Sequence, residues 1–367
     1  MGEDFFKYLP SEVVLDILSR VPTLDVMACK CVCKPWLGLL ATPEFVNAHI
    51  SRSVPGFAVE TQPRSFKMVE IVEELDEEQE WDVTFSFELP FDEMIHSSVN
   101  GLFFLKDFAF GDLILCNPIT SDYIMLPCPR QTTPDVQIDM ENFGFGVSRM
   151  TGQYKVVRIF VEKSSEEECN YECQVYTVGT GSWRKVPFGD SLRLCEDVGG
   201  VLVNGNLHWT VEETRRGSGE WICCFDLETE LFSTFPAPPL PSSTGVYSSR
   251  SLCVLRDCLC VTDISTTDGC IIIWLMEEYE HSWTKIFVIP DVDRLPDVDV
   301  WPIRIFENGD VLMECKDGTL FCYSIETKTF DYDIVSQEDR APFPSTFVYA
   351  PSFVSLKSFA MENACSF

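Results

Sequence analysis

Two patterns of hydrophobic and polar positions follow one another along the chain. From Pro10 to Ile50 the apolar residues recur at a helical period, with Val13, Val14, Ile17, Leu18 and Val21 forming one stripe. Pro10 stands where a first helical turn tolerates proline, and Pro22 ends the run. Thr23 is placed to cap a second helix running through Val26, Met27 and Val32. Pro35 interrupts again, Trp36 to Leu40 begins another turn or helix, and Pro43 separates a last short helix carrying Phe45 and Ile50. Three to four helices of this length bury too little surface to be very stable alone, so part of the apolar face is expected to be reserved for a partner.

After Ser53-Val54-Pro55-Gly56 the pattern changes to short β-rich runs separated by turn pairs such as Asn100-Gly101, Asn204-Gly205 and Asn308-Gly309. A unit recurs within this region. CFDLETELFSTFP (Cys224 to Pro236) aligns without a gap on VYTVGTGSWRKVP (Val175 to Pro187), and LCNPITSDYIMLP and CYSIETKTF fit the same frame. In each copy an apolar anchor is followed seven residues later by an aromatic that starts a return strand: Cys116 to Tyr123, Tyr176 to Trp183, Phe225 to Phe232, Tyr323 to Phe330. Trp274 to Trp283 reads as the same hairpin with two extra turn residues. The anchors Tyr176, Phe225, Trp274 and Tyr323 are each 49 residues apart.

Most of these hairpins are preceded by another, as in VLVNGNLHW, CVLRDCLCV and RIFENGDVLM, which gives four strands per repeat, the content of a propeller blade. Five units are legible, and residues 57 to 95 have the length for a sixth. The expected fold is therefore mainly β with a small N-terminal α module: three to four helices, then a β-propeller-like domain of six blades. Phe347 to Leu356 is expected to pair with the first blade, since an open propeller leaves exposed edges. The competing reading is a pair of stacked sheets. Boundaries fall at 1–52 for the helical module, 57–358 for the β domain and 359–367 for a C-terminal tail.

Composition narrows the function classes. Hydrophobic residues make up 46% and charged ones 23%, the balance of a globular chain. No apolar run exceeds the seven residues of CIIIWLM, well short of the ~20 that span a bilayer. The opening MGEDFFKYLP is acidic where an export leader is basic, and Phe6 takes the place of the Ser or Thr of a myristoylation motif. A soluble chain in the cytoplasm or nucleus is expected, with its 17 cysteines reduced.

Net charge is 27 minus 58, or −31, which argues against a phosphate-binding surface and hence against nucleic acid. Residues 1–54 hold five basic and six acidic side chains, so about −30 lies in the β region. There the run Glu73 to Asp82 contains Glu73, Glu74, Asp76, Glu77 and Glu78, either a solvated loop or an acidic surface that steers basic partners. Cys29, Cys31 and Cys33, Cys169 with Cys173, and Cys258 with Cys260 lack a second matching pair for zinc and read as structural thiols. His49, His96, His208 and His281 are scattered, and HExxH, GxSxG and phosphate-loop motifs are missing from the sequence. No metal, cofactor or catalytic residue is expected.

The segment FFKYLPSEVVLDILSRVPTLDVMACKCVCKPWLGLLATPEF resembles an F-box, through Leu9, Pro10, Glu12, Ile17, Leu18, Val32, Cys33, Lys34 and Trp36. Downstream, SVNGLFFL, LCNPITSDYIMLP, FGFGVSRMTGQYKVVRI, GVLVNGNLHW and CFDLETELF resemble the F-box-associated interaction domain of a large plant family. The resemblance implies that the helices dock on a Skp-family adaptor, and through it on cullin and RING subunits of an SCF ubiquitin ligase. The β domain would then bind a protein substrate, with its acidity biasing the choice toward basic surfaces. Adaptor contacts carried over by position are Leu9, Pro10, Ile17, Leu18, Val32, Cys33 and Trp36. Two alternatives stay open: a propeller enzyme of a glycoside-processing or oxidase-like kind, and an F-box scaffold acting outside a ligase.

Overall fold

A computed structural model describes residues 9–53, 55–70, 83–91, 94–106, 111–129, 138–162, 171–189, 192–195, 199–213, 220–239, 247–265, 269–290, 299–315, 319–331, 346–359 and 363–367. Four helices come first: α1 (Ser11–Leu18), α2 (Thr23–Cys29), α3 (Lys34–Leu40) and α4 (Pro43–Ile50). Prolines set their starts. Pro10 and Pro22 are the N-caps of α1 and α2, while Pro35 and Pro43 lie in the first turns of α3 and α4, where a missing N–H leaves no bond unmade. Two sequence expectations change here. Thr23 is the first helical residue rather than the cap, and Pro35 opens a helix rather than interrupting one. The side-chain cap that does form is Thr42, whose Oγ1 accepts from the Phe45 amide at 3.3 Å.

The rest is six antiparallel sheets. The first holds β1 (Gly56–Gln62), β2 (Ser65–Glu70) and β3 (Val83–Glu88). The second holds β4 (Met94–Val99), β5 (Leu102–Lys106), β6 (Leu113–Asn117) and β7 (Asp122–Met125). The third holds β8 (Ile138–Val147), β9 (Tyr154–Glu162), β10 (Tyr171–Thr177) and β11 (Trp183–Val186). In the fourth, β12 (Leu192–Leu194) and β13 (Val201–Val203) both pair with β14 (Asn206–Glu213), followed by β15 (Glu220–Asp226) and β16 (Phe232–Pro236). The fifth is β17 (Tyr247–Leu255), β18 (Cys258–Ser265), β19 (Cys270–Glu278) and β20 (Ser282–Pro290). The sixth is β21 (Val300–Ile305), β22 (Val311–Cys315), β23 (Leu320–Tyr323) and β24 (Phe330–Asp331). Two late strands return to early sheets: β25 (Thr346–Tyr349) pairs with β1, and β26 (Cys365–Ser366) pairs with β7. This is a six-blade propeller arrangement, and the stacked-sheet reading falls away.

The strand expected over Phe347 to Leu356 covers only its first part. Beyond Tyr349 the chain is irregular, because Asn117 takes over its carbonyls: Nδ2 donates to Ser352 O at 3.1 Å and to Val354 O at 2.8 Å. Helices, first two blades and C-terminal residues form one unit, and the remaining four blades form the other.

The 49-residue repeat becomes a register. Tyr176 pairs with Trp183, Phe225 with Phe232, Tyr323 with Phe330, and Cys116 with Tyr123. In the three aromatic pairs the ring centroids are 5.3, 4.7 and 5.2 Å apart, so each seven-residue step closes a hairpin with a cross-strand ring contact. The fifth blade departs from this. A bulge places Lys285 opposite Trp274, with its ammonium 4.9 Å from the ring centroid, and Trp283 instead donates its indole N–H to Pro236 O at 2.9 Å. Trp183, at the same repeat position, donates to Pro127 O at 2.6 Å.

Asn100-Gly101, Asn204-Gly205 and Arg256-Asp257 are two-residue turns with positive φ at both positions, the form whose twist matches a hairpin. Asn308-Gly309 differs, with only Gly309 at positive φ and a longer loop between Ile305 and Val311.

Candidate interaction surfaces

The helical module divides its apolar residues between two faces. Val14, Leu18, Val26, Leu40 and Phe45 are buried in one cluster with Ile119 and Phe353, and Phe85 packs at its margin. Val13, Ile17, Leu24, Met27, Val32 and Leu37 face outward, Val32 with 63% of its surface open. The stripe read from the sequence therefore splits. Val13 and Ile17, one turn apart, lie on the outer side of α1, and Val14 and Leu18 on the inner side.

Of the seven positions expected to meet an adaptor, Pro10, Ile17 and Val32 are exposed, and Leu9, Cys33 and Trp36 are half-buried. Leu9 and Trp36 also pack on the internal cluster. Leu18 is 2% exposed, so its side chain serves the core of the module rather than an outer contact. Val13, Leu24, Met27 and Leu37 are also exposed, though none was expected as an adaptor contact from the sequence. The i, i+4 pair Val13–Ile17 and the i, i+3 pair Leu24–Met27 were the available signal, obscured because neighbouring apolar residues read as one stripe.

A small ion cluster tethers α1 to the end of α4. Asp16 accepts from Arg20 at 3.1 and 3.2 Å and from Arg52 at 2.7 Å, and these bonds hold its carboxyl below the usual carboxylate range. Lys30 lies over the Phe353 ring at 4.3 Å, and burial lowers its pKa. His49 is buried against Phe45 and Phe353, and burial pulls its pKa down while the Val21 carbonyl opposes the shift.

Glu73, Glu74, Asp76, Glu77 and Glu78 lie outside the described residues. The strand that follows them, β3, begins beside the helices, with Phe85 on the helical cluster.

The four-blade unit holds two polar clusters in its interior. His208 is fully buried; its Nδ1–H donates to Val201 O at 3.1 Å, which leaves Nε2 to accept from the Tyr279 hydroxyl at 2.6 Å. Burial pushes its pKa down to about 4, so the ring is neutral. Cys224 lies 3.4 Å from the same hydroxyl, and burial raises its thiol pKa. Cys, His, Asn206 and Tyr279 here form a satisfied polar plug rather than a nucleophile with a base, since neither thiolate nor imidazolium is favoured. His96 is half-buried and His281 exposed.

Arg250 donates to Asp263 at 2.6 and 3.0 Å and to Glu220 at 2.9 Å, with Asp263 wholly buried and also holding the Trp274 indole at 2.9 Å. Among the described residues no group of three or more His, Cys, Asp or Glu is placed to hold a metal ion, and every described cysteine is a free thiol.

A four-helix module with exposed apolar side chains, followed by six antiparallel β blades, defines a two-part protein. A family model of the F-box domain matches residues 6–47, and one of the F-box associated beta propeller domain matches residues 49–356. The chain belongs to the family of F-box proteins with an associated β-propeller. It is 26% identical to F-box protein At3g07870 of Arabidopsis thaliana over 365 residues, covering 86% of this chain and 84% of that one. It is 26% identical to the Arabidopsis F-box protein CPR1 over 347 residues, covering 87% and 83%.

Proposed function

We propose that this protein is the substrate-recognition subunit of an SCF-type cullin-RING ubiquitin ligase, working in the cytoplasm or nucleus without an active site of its own. The helices dock on a Skp-family adaptor, and the propeller holds a target protein for modification by an enzyme recruited elsewhere in the complex. The observation that carries this reading is the outer face of Val13, Ile17, Leu24, Met27, Val32 and Leu37. Six exposed apolar side chains on so small a module form the kind of patch that marks a protein interface.

The test is co-purification of the full chain with a recombinant Skp-family adaptor. Ile17→Asp with Val32→Asp is expected to abolish the complex while the melting temperature stays near wild type, because both side chains already face solvent. A folded double variant that still binds the adaptor fully would overturn the assignment. If the complex forms but recruits no cullin, the protein is an F-box scaffold rather than a ligase subunit.

A further inference from the structure

Outer strands of the six blades differ in how they end the sheet. β7 is covered: Cys365 and Ser366 of β26 pair with Tyr123 and Asp122, and the Phe367 amide donates to Ser121 O at 3.0 Å. The chain's own C-terminal residues thus add a strand to a blade edge. β11 has only four residues and carries Arg184 and Lys185, each in an ion pair, with Glu230 and with Glu172. β16 has five residues and ends in Pro236. These are the usual ways of blunting an edge: shortness, charge and proline.

β20 is different. It runs nine residues, Ser282–Pro290, or about 30 Å at ~3.4 Å per residue, and among the described residues pairs only with β19. Its sequence SWTKIFVIP has one charge, Lys285, and that ammonium lies over the Trp274 ring. Ile286 and Phe287 are half-buried, and Val288 has 54% of its surface open. Among the described residues it is the longest outer strand, nine residues against six in β3, five in β16 and four in β7 and β11.

Apart from Lys285, the charged residues beside it are acidic. Glu277 and Glu278 end β19 and Glu280 sits in the turn; all three are exposed, with Glu277 in reach of the Thr284 hydroxyl at 3.3 Å.

We propose that the free edge of β20 in the fifth blade is a β-addition site for an extended partner segment in which apolar, β-branched or aromatic residues alternate with Lys or Arg. Backbone pairing along the strand gives affinity, the partner's apolar residues cover Val288, and its cations meet Glu277, Glu278 and Glu280. A second copy of this chain is disfavoured as occupant by the repulsion of two chains of net charge −31. The proposal deepens the receptor reading by naming the kind of target segment, and it rests on that reading only in calling the segment a substrate.

The experiment uses the full chain without adaptor and a labelled nine-residue probe peptide, Lys and Val alternating, followed by fluorescence anisotropy. Saturable binding is expected. N-methylation of one alternate set of peptide amides should weaken it at least tenfold and methylation of the other set much less, because only one set faces β20. A block peptide of the same composition should bind at least tenfold more weakly. Val288→Lys should reduce probe binding at least tenfold with an unchanged melting temperature and unchanged adaptor co-purification, which keeps this test separate from that of the receptor reading.

Several results overturn the proposal. Equal loss with both methylated sets, or equal binding of the block peptide, would leave only charge attraction. No probe binding, or binding untouched by Val288→Lys, would remove the site. A dimer of the chain that Val288→Lys dissolves would give the edge to a second copy.

Discussion

In the helical module the apolar stripe of α1 divides between core and solvent, whereas the four-blade unit takes charged side chains such as Arg250 and Asp263 into its interior. Ile17 and Leu18 are neighbours in sequence, yet one is 41% exposed and the other is core. Arg250 and Asp263, charged residues by any sequence count, are buried. The difference follows from how much partner surface each element has. A helix of seven or eight residues in a module of four has only one side to bury, so a wide apolar stripe leaves a remainder. A middle strand of a blade has a paired neighbour on each edge, so a polar group that the register brings inside must be met by a partner.

The largest effect that would separate the two regions is at the buried ion cluster. Arg250→Met leaves the Asp263 carboxylate inside with only the Trp274 indole, and should cost about 3–5 kcal/mol by chemical denaturation. Arg250→Met with Asp263→Leu should recover much of that loss. Full stability of the single variant would mean that the charge is not buried in solution.

Leu18→Ala and Ile17→Ala sharpen the same contrast within two residues. The first should lower stability by about 2–5 kcal/mol and the second by less than ~0.5 kcal/mol. Equal effects would show that the stripe does not split.

A pH series tests the buried imidazole. His208 binds its proton less readily folded, at about 4, than at its ordinary 6.5. Its neutral, folded form is fully favoured above 6.5, and that stability drains away as pH falls through 6.5 toward 4, by up to about 3 kcal/mol. The stability difference between wild type and His208→Gln should therefore change across this window and stay flat above pH 7. A flat difference throughout would place His208 in water.

Gly200→Ala probes a close approach within the four-blade unit. A Cβ there would meet the Trp209 ring at 2.5 and 2.6 Å, and Trp209 is itself held by Asn142 at 2.8 Å. A loss of about 1–3 kcal/mol in thermal or denaturant melts is expected. A smaller loss belongs to a repeat-position indole: Trp183→Phe keeps the ring contact with Tyr176 but loses the bond to Pro127 O, about 1 kcal/mol by the same melts.

The sequence by itself determined the local order and the count of repeats. The starts of the first and last helices followed from Pro10 and Pro43, since a residue without an N–H has few places in a helix, while Pro22 and Pro35 read only as breaks. The anchors at 49-residue steps gave hairpin registers that the sheets reproduce, because the seven-residue step is fixed by a short turn and a cross-strand ring contact, both local. What failed were properties decided by neighbours far along the chain. The pairing of Trp274 was changed by a bulge to Lys285. The irregular course after Tyr349 was fixed by Asn117, over 230 residues away. The division of α1 into an inner and an outer face depended on Ile119 and Phe353, which no helical period encodes. The covering of β7 by the last residues, and the open edge left on β20, came from which strands meet in space. Periodicity specifies which side chains share a face; only the packed chain specifies what, if anything, that face touches.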